Sequence, residues 1–247
     1  MSRDVKTNGI IIKKINFRET SVILDVLTPE YGVISIMAKG IRKQKSKNTG
    51  MIELLNELEL NLYKNPNSDW YIYRSSQIIN SHLFSINITT SILMQAPVEI
   101  IRQIIIPMDD SQAIYELLET YLEYIKTVKQ NGIAIFWRFL LKLFRIIGIA
   151  FNITNCIECS KIKQFIAYFP QKHGFICEDC YHPVNDDQIF KISKNAADLI
   201  SKLNNIGNYI DEILILKSTI KQLNRIFITH ISEHFHKKIL LKSIELL

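Results

Sequence analysis

The chain has four cysteines, and their spacing is the feature that most constrains its fold. They form two C-x2-C pairs separated by seventeen residues, namely Cys156, Cys159, Cys177 and Cys180. Zn²⁺ is held tetrahedrally by four thiolates when one such pair binds each side of the ion. Because protein atoms would fill all four coordination positions, the spacing predicts one structural Zn²⁺ per chain and argues against a catalytic metal.

Two disulfides, or a redox pair at each C-x2-C, would use the same cysteines. Zinc is favoured because neither pair lies in a thioredoxin-like strand-helix context and nothing marks the chain as secreted. Between the pairs, the apolar run 165–169 predicts a short strand and residues 172–174 a hairpin turn, as in a zinc ribbon. His173 and His182 lie nearby and are interpreted as bystanders, since four thiolates already complete the site.

The length and composition indicate a folded chain without a membrane segment. Its 247 residues are 47% hydrophobic, enough for one large core or two modest ones. The N-terminus lacks the long apolar region of a signal peptide. The apolar stretch 132–151 could span a bilayer by length, but three cations in its middle predict a water-soluble helix. We therefore expect a cytoplasmic protein, and the net charge of +6 permits a polyanionic partner.

The first eighty residues are typical of strands. Five β-branched or alternating runs cover 9–15, 21–27, 33–38, 57–63 and 69–79. Five short strands in this length predict a small closed barrel, with the OB-fold as the main candidate, although an SH3-like barrel or an open meander has a similar pattern. On the fifth run, Trp70 should face opposite to Tyr71 and Tyr73, so one of these sets should belong to the core.

After residue 81 the hydrophobic period becomes helical. Helices are predicted over 91–105, 111–130, 133–149, 193–206 and 212–235, with Ser111 as the start of the second. The predicted fold class is α+β: an N-terminal OB barrel followed by an all-helical domain with an inserted four-cysteine zinc ribbon. The predicted domains are the barrel over 1–80, the helical domain over 81–155 and 183–247, and the ribbon over 156–182.

A basic loop follows the third predicted strand. It carries Lys39, Arg42, Lys43, Lys45 and Lys47, and no acidic residue occurs between Lys39 and Glu53. An ordinary solvated lysine loop would look the same, and an isolated charge run usually is one. On an OB barrel, however, such a loop favours binding to the phosphates of a nucleic acid.

Three segments of the chain resemble the RecO family of bacterial DNA repair proteins. Residues 19–46 are similar to the family's barrel signature, including "AKG-R" from Ala38 to Arg42. Residues 136–156 are similar to its central helix running into the zinc region, and 236–243 to its C-terminal "K-x-L-K-S" ending with one extra residue. The similarity runs from end to end in the right order.

The resemblance implies a recombination mediator. Family members bind single- and double-stranded DNA and anneal complementary strands. They also help load the RecA recombinase onto strands coated by single-stranded-DNA-binding protein, usually with RecR as partner. Lys39, Arg42 and Lys43 match the family pattern as DNA contacts, while Lys45 and Lys47 follow from charge alone. Some relatives lack the cysteines, which implies that the metal is a scaffold.

A second binding site is predicted on the third helix. Arg138, Lys142 and Arg145 recur at spacings of four and three, which places them on one stripe of an otherwise apolar helix. The stripe is either a plain solvent face or a partner site. The resemblance implies binding of the acidic C-terminal tail of single-stranded-DNA-binding protein, with Arg138 at the matching arginine position.

The sequence shows no catalytic set, so a non-enzyme is expected. It lacks a G-x-x-x-x-G-K-[ST] phosphate loop. His230, Glu233 and His234 match the H-x-x-E-H spacing of inverted zincins, but the pattern is short and is interpreted as a surface or packing feature. The alternatives are an enzyme with a zinc-stapled lid and an RNA-binding protein of a ribonucleoprotein complex, since an OB barrel with a zinc ribbon suits RNA equally well.

Overall fold

The computed structural model describes residues 3–42, 50–82, 87–182 and 189–247. The chain divides into two compact units, Met1–Lys126 and Thr127–Leu247. The first two helices therefore belong to the same unit as the N-terminal strands. The division into a barrel domain ending at residue 80 and a helical domain interrupted by the ribbon stays a prediction.

The first unit contains a closed five-stranded barrel. Its strands are β1 (Asp4–Phe17), β2 (Ser21–Thr28), β3 (Gly32–Ala38), β4 (Glu57–Lys64) and β5 (Tyr71–Asn80). They pair in the order β1-β2-β3-β5-β4, and β1 closes the barrel by pairing antiparallel with β4. All pairs are antiparallel except β3 with β5. The predicted OB barrel is confirmed, and its five strands match the five predicted runs.

Alternating side chains fill the barrel. Along β3, Ile34, Ile36 and Ala38 face the core while the residues between them are exposed or half-buried. Two close approaches require glycine. A Cβ at Gly9 would collide with the side chain of Val26. Gly32 has φ +65°, which favours glycine at the β2–β3 turn, and a Cβ there would lie only 2.9 Å from the Ser111 hydroxyl.

Two helices complete the first unit. Helix α1 (Ile88–Ile101) begins after Asn87, whose side chain accepts a 2.7 Å hydrogen bond from the Thr90 amide. Helix α2 (Ser111–Ile125) begins at the predicted Ser111 and packs against β2 and β3. Its buried face carries Ile114, Tyr115, Leu118, Leu122 and Ile125, at the three and four spacing of an amphipathic helix.

The second unit consists of helices around a small sheet. Its elements are α3 (Gly132–Ile146), β6 (Phe165–Phe169), β7 (Gly174–Cys177), β8 (Phe190–Lys191), α4 (Lys194–Lys202) and α5 (Lys217–His234). The three strands pair in the order β7-β6-β8. The sheet packs on the helices through an aromatic cluster centred on Phe151, whose ring contacts Phe144, Tyr168, Phe175 and Phe227.

All five helices are shorter than predicted, and α2, α4 and α5 differ most; α2 ends at Ile125 rather than at residue 130. α4 ends at Lys202 and continues as a 3₁₀ segment (Leu203–Asn208), with Asn205 outside helical geometry. α5 begins only at Lys217, so residues 212–216 are not helical. The first fifteen residues of the 132–151 stretch form α3, with ten buried side chains. Within the described part of the chain, no helix is long and apolar enough to cross a membrane.

Candidate metal centre and nucleic-acid surface

The four cysteines come together in the second unit. Their Sγ atoms all lie within 4.8 Å of one another, and those of Cys159 and Cys177 are 3.8 Å apart. All four thiols are free rather than paired in disulfides. Cys156 and Cys177 are buried, whereas Cys159 and Cys180 are half-buried. The arrangement fits a single metal ion held by four thiolates in a closed site.

Local backbone geometry places the first cysteine pair against the ribbon hairpin. The Ser160 amide donates to the Cys156 carbonyl at 2.9 Å, which closes the turn between Cys156 and Cys159. The Ile157 amide donates to the Phe175 carbonyl on β7 at 2.9 Å. Gly174 is required at the start of β7, because a Cβ there would collide with the Ile157 side chain. The ribbon sequence therefore brings both pairs to one end of the hairpin.

The thiols differ in acidity. Burial raises the pKa of Cys156, but backbone N–H donors from Cys159, Cys177 and Glu158 outweigh burial and lower the pKa to about 6. Burial raises the pKa of Cys177, and burial together with contacts to the other thiols raises that of Cys180 to about 12. One thiolate therefore forms readily, while the full set of four would need a bound cation to stabilise it, and uptake of that cation would release protons.

The basic loop is described only in part. Lys39 and Arg42 are exposed at the end of β3. The Arg42 amide donates to the Thr20 carbonyl at 2.9 Å, and its Nη1 donates to the Arg18 carbonyl at 3.3 Å. Arg42 is thus held against the β1–β2 turn. The other three predicted DNA contacts, Lys43, Lys45 and Lys47, lie outside the described residues.

The structure adds Arg18 to this surface. Arg18 is exposed at the β1–β2 turn with φ 53°, and its guanidinium carbon lies 5.2 Å from the centroid of the Phe17 ring. Sequence reasoning missed it because its neighbours in sequence include Glu19. The strand register could have identified it, since β2 pairs with both β1 and β3 and brings the two turns to the same end. We call Arg18, Lys39 and Arg42 the basic corner.

The aromatic residues of the fifth strand divide as expected between core and surface. Tyr71 lies in the barrel core and Tyr73 packs against it. Trp70 precedes β5 and is 37% exposed. Nζ of Lys64 lies 4.3 Å from the centroid of the Tyr71 ring. Of these three rings, only that of Trp70 is exposed enough to stack on a base.

The three cations of α3 lie on its solvent side. Arg138 is half-buried, and Lys142 and Arg145 are exposed. The buried side of the helix includes Trp137, whose Nε1 donates to the side chain of Asn224 at 2.8 Å. Arg145 also lines a cavity of about 130 Å³ together with Leu141, Phe151 and Ile153 among others. Asn152, Thr154 and Asn204 also line this recess, so the stripe lies beside a small recess of mixed apolar and polar lining.

The fold and the site define an OB-fold protein whose helical part carries a four-cysteine ribbon. Two family models match the chain: Recombination protein O N terminal over residues 1–82, and Recombination protein O C terminal over residues 87–242. The chain belongs to the RecO family of bacterial DNA repair proteins. The family resemblance and the fold class predicted from the sequence are confirmed.

Individual relatives agree with the family models. The chain is 26% identical to the DNA repair protein RecO of Acetivibrio thermocellus, with 94% of this chain and 92% of the relative covered. It is 30% identical to the protein of the same name from Dehalococcoides mccartyi, with 80% of this chain and 77% of the relative covered. A third relative, from Caldicellulosiruptor bescii, is 27% identical, with 82% of this chain and 84% of the relative covered. The similarity therefore spans both units.

Proposed function

We propose that this protein is a DNA-binding recombination mediator in DNA repair. It anneals complementary single strands and helps load the RecA recombinase onto strands coated by single-stranded-DNA-binding protein. The observation that carries the proposal is the exposed basic corner on a closed OB barrel, in a chain that both Recombination protein O models match. OB barrels bind single strands through basic grooves and stacking aromatic rings. Single- and double-stranded DNA present the same phosphates, so the basic corner can contact both.

The mechanism needs no bond chemistry. Two strands repel each other through their phosphates, and cations that neutralise those phosphates release counterions and let base pairing supply the free energy. The guanidinium groups of Arg18 and Arg42 suit this role because their planar donors contact phosphate oxygens bidentately. We therefore propose that the protein acts by electrostatics and by holding partners together, without a catalytic residue.

The metal is proposed to be Zn²⁺, one ion held by Cys156, Cys159, Cys177 and Cys180. Zinc prefers four thiolates in a tetrahedral set, and the four sulfurs are close enough to provide it. When bound, the ion supplies a structural cross-link and leaves no position for substrate. The four cysteines hold the two ends of the hairpin β6–β7 together and so shape only their own part of the second unit.

The partners are proposed from the family and from the surface of α3. Arg138, Lys142 and Arg145 would receive the acidic C-terminal tail of single-stranded-DNA-binding protein, because guanidinium groups bind carboxylates and Leu141, Phe151 and Ile153 in the recess beside Arg145 offer apolar contacts to the end of the tail. RecR is the proposed protein partner, and RecA is reached indirectly. The proposed location is the cytoplasm, at the nucleoid.

A strand-annealing assay tests the function. Complementary strands are mixed, with and without single-stranded-DNA-binding protein, and duplex formation is followed with wild type and with Arg18→Ala/Arg42→Ala. The double variant should anneal more slowly, while Lys217→Ala/Lys221→Ala, which removes two exposed charges from the second unit, should match wild type. Annealing of coated strands no faster than the spontaneous rate would reject the proposal. A structured RNA that outcompetes single-stranded DNA would favour the ribonucleoprotein alternative.

A further inference from the structure

Three histidines form a second cluster of ligand groups in the second unit. His173 lies on the turn between β6 and β7, and His230 and His234 lie one helical turn apart on α5. One ring nitrogen from each lies within 4.8 Å of the other two. The cluster is separate from the four thiols. It joins the ribbon turn to a helix that is distant in sequence.

His230 is held in the way that proteins orient a metal-binding imidazole. Its side chain is fully buried, and its Nε2 lies 2.6 Å from the Ile149 carbonyl oxygen. A carbonyl only accepts, so Nε2 carries the proton and Nδ1 carries the lone pair. A backbone carbonyl on the far ring nitrogen is a usual outer contact of metal-binding histidines. The Tyr168 hydroxyl, 3.0 Å from Nδ1, donates to that lone pair.

His173 has a buried ring nitrogen without a partner in the described part of the chain. Its Nδ1 is buried and has no hydrogen-bond partner among the residues that the structure describes. The ring centroid lies 4.2 Å from that of His234 and 5.5 Å from that of His230. His173 has φ 50°, a left-handed conformation that non-glycine residues adopt infrequently. A buried imidazole nitrogen without a partner is unfavourable, and an ion would satisfy it.

Two of the three imidazoles, those of His230 and His234, have lowered pKa values. Burial lowers the pKa of His230 to about 4; the contact with the Ile149 carbonyl raises this pKa, and the neighbouring His234 and His173 lower it. Burial lowers the pKa of His234, and the neighbouring His173 and His236 lower it as well. At neutral pH each of these two imidazoles is therefore in its neutral form, with one unprotonated nitrogen, which is the form that binds metal ions.

We propose that His173, His230 and His234 form a second metal site, which binds a divalent transition ion such as Zn²⁺, Ni²⁺ or Co²⁺. Imidazole nitrogens suit these ions. A tetrahedral ion with metal–nitrogen distances of about 2.1 Å brings its ligand nitrogens to about 3.4 Å from one another, so modest ring rotations complete the site.

The site differs from the four-thiol cluster in its consequence. Three protein ligands leave one coordination position for water or an oxygen donor, whereas the four cysteines close theirs. An ion here cross-links the ribbon turn to α5 and so fixes the ribbon on the helices of the second unit. Binding requires the Tyr168 hydroxyl to leave Nδ1 of His230, which makes that hydroxyl a competitor of the ion.

The test uses the full chain with its four-thiol site loaded with zinc. Co²⁺ is titrated in, and its ligand-field absorption is followed together with thiolate charge transfer. Wild type should take up one further equivalent without new charge transfer. His173→Asn, which tolerates the left-handed turn, and His234→Gln should bind it at least tenfold more weakly. His182→Ala, an exposed ribbon histidine outside the cluster, should match wild type.

A further variant separates a ligand role from a packing role. Tyr168→Phe keeps the buried ring and removes the competing hydroxyl, so Co²⁺ should bind about fivefold more tightly, the equivalent of one hydrogen bond of about 1 kcal/mol. Unchanged or weaker binding by this variant would overturn the site. So would wild type that takes up no further equivalent, or histidine variants that bind Co²⁺ as wild type does.

Discussion

The hydroxyl of Tyr115 on α2 donates a 2.6 Å hydrogen bond to Oε1 of Glu57, the first residue of β4. Glu57 is only 2% exposed, and the side chain of Asn80 donates to its other oxygen at 2.7 Å. A buried carboxylate is tolerated only where donors replace its water. The contact therefore joins α2 to the barrel. If it were lost, the buried Glu57 carboxyl would lack one of its hydrogen-bond donors.

Tyr115→Phe should lower the free energy of unfolding of the first unit by about 1.5–3 kcal/mol, because it removes a hydrogen bond to a charged group and leaves the buried carboxylate short of a donor. Hydrogen exchange of the barrel amides measures this loss without interference from the second unit. Tyr31→Phe, on a ring that is 38% exposed, is the control and should change little. Similar losses in both variants would contradict the role given to Glu57.

The sequence predicted the strands but not this contact, for a physical reason. Alternation of apolar and polar residues is a local pattern, and it located all five strands. The burial of Glu57 depends on Tyr115, 58 residues away, and such a pairing has no local pattern. The predicted helix ends were wrong for a similar reason. The apolar period continues past Lys202, but the backbone tightens into a 3₁₀ segment there.

Cys177→Ser should remove one equivalent of zinc and destabilise the ribbon, because a serine hydroxyl cannot replace a thiolate in a four-sulfur site. The barrel should stay folded, since the four cysteines all lie in the second unit. Elemental analysis and hydrogen exchange of the two units measure both effects. His182→Ala is the control. Unchanged zinc content in the serine variant would contradict the four-thiolate site.

Arg42→Ala/Lys43→Ala should weaken binding to single- and double-stranded DNA and lower the salt slope by about two phosphate contacts, with little dependence on base sequence. Affinity measured at a series of salt concentrations gives the slope. Lys237→Ala/Lys238→Ala removes the same charge near the C-terminus and should leave the slope unchanged. A slope that falls only in the second pair would move the DNA contacts to the C-terminal end.

The site could be predicted from the sequence where one short motif contains it. The four cysteines lie in two C-x2-C pairs, and metal chemistry fixes such spacing. The basic corner is different, because Arg18 and Arg42 meet only when β2 pairs with both of its neighbours. The histidine cluster is not predicted from the sequence: His173 is distant in sequence from α5 and is interpreted as a bystander of the thiol site, and the short pattern of His230 and His234 as a surface or packing feature.

A buried histidine should make the first unit sensitive to acid. His82 is 5% exposed, and burial and Lys126 lower its pKa more than Glu123 and Glu57 raise it. Because its pKa is lower in the folded chain than the unfolded value of about 6.5, stability is highest above that pH and falls as the pH drops through it. Urea unfolding at pH 7 and pH 5 should show this fall, and His82→Leu should reduce it. An unchanged pH dependence in that variant would contradict the assignment.

Arg138→Ala should reduce affinity for a peptide copy of the acidic C-terminal tail by about 1.5–3 kcal/mol, the scale for losing a charged hydrogen-bonding partner, while binding of naked DNA stays the same. The prediction rests on the half-buried position of Arg138 beside the apolar face of α3, where a guanidinium is poorly hydrated and gains most from a carboxylate. Titration calorimetry of the peptide measures it.

Arg145→Ala tests the recess that Arg145 lines, and Arg102→Ala, an exposed arginine of the first unit, is the control. If the peptide binds Arg138→Ala and Arg145→Ala as tightly as Arg102→Ala, the stripe is only the solvent face of its helix. If Arg145→Ala alone loses affinity, the tail binds at the recess, one turn or more from the arginine that the family resemblance identified.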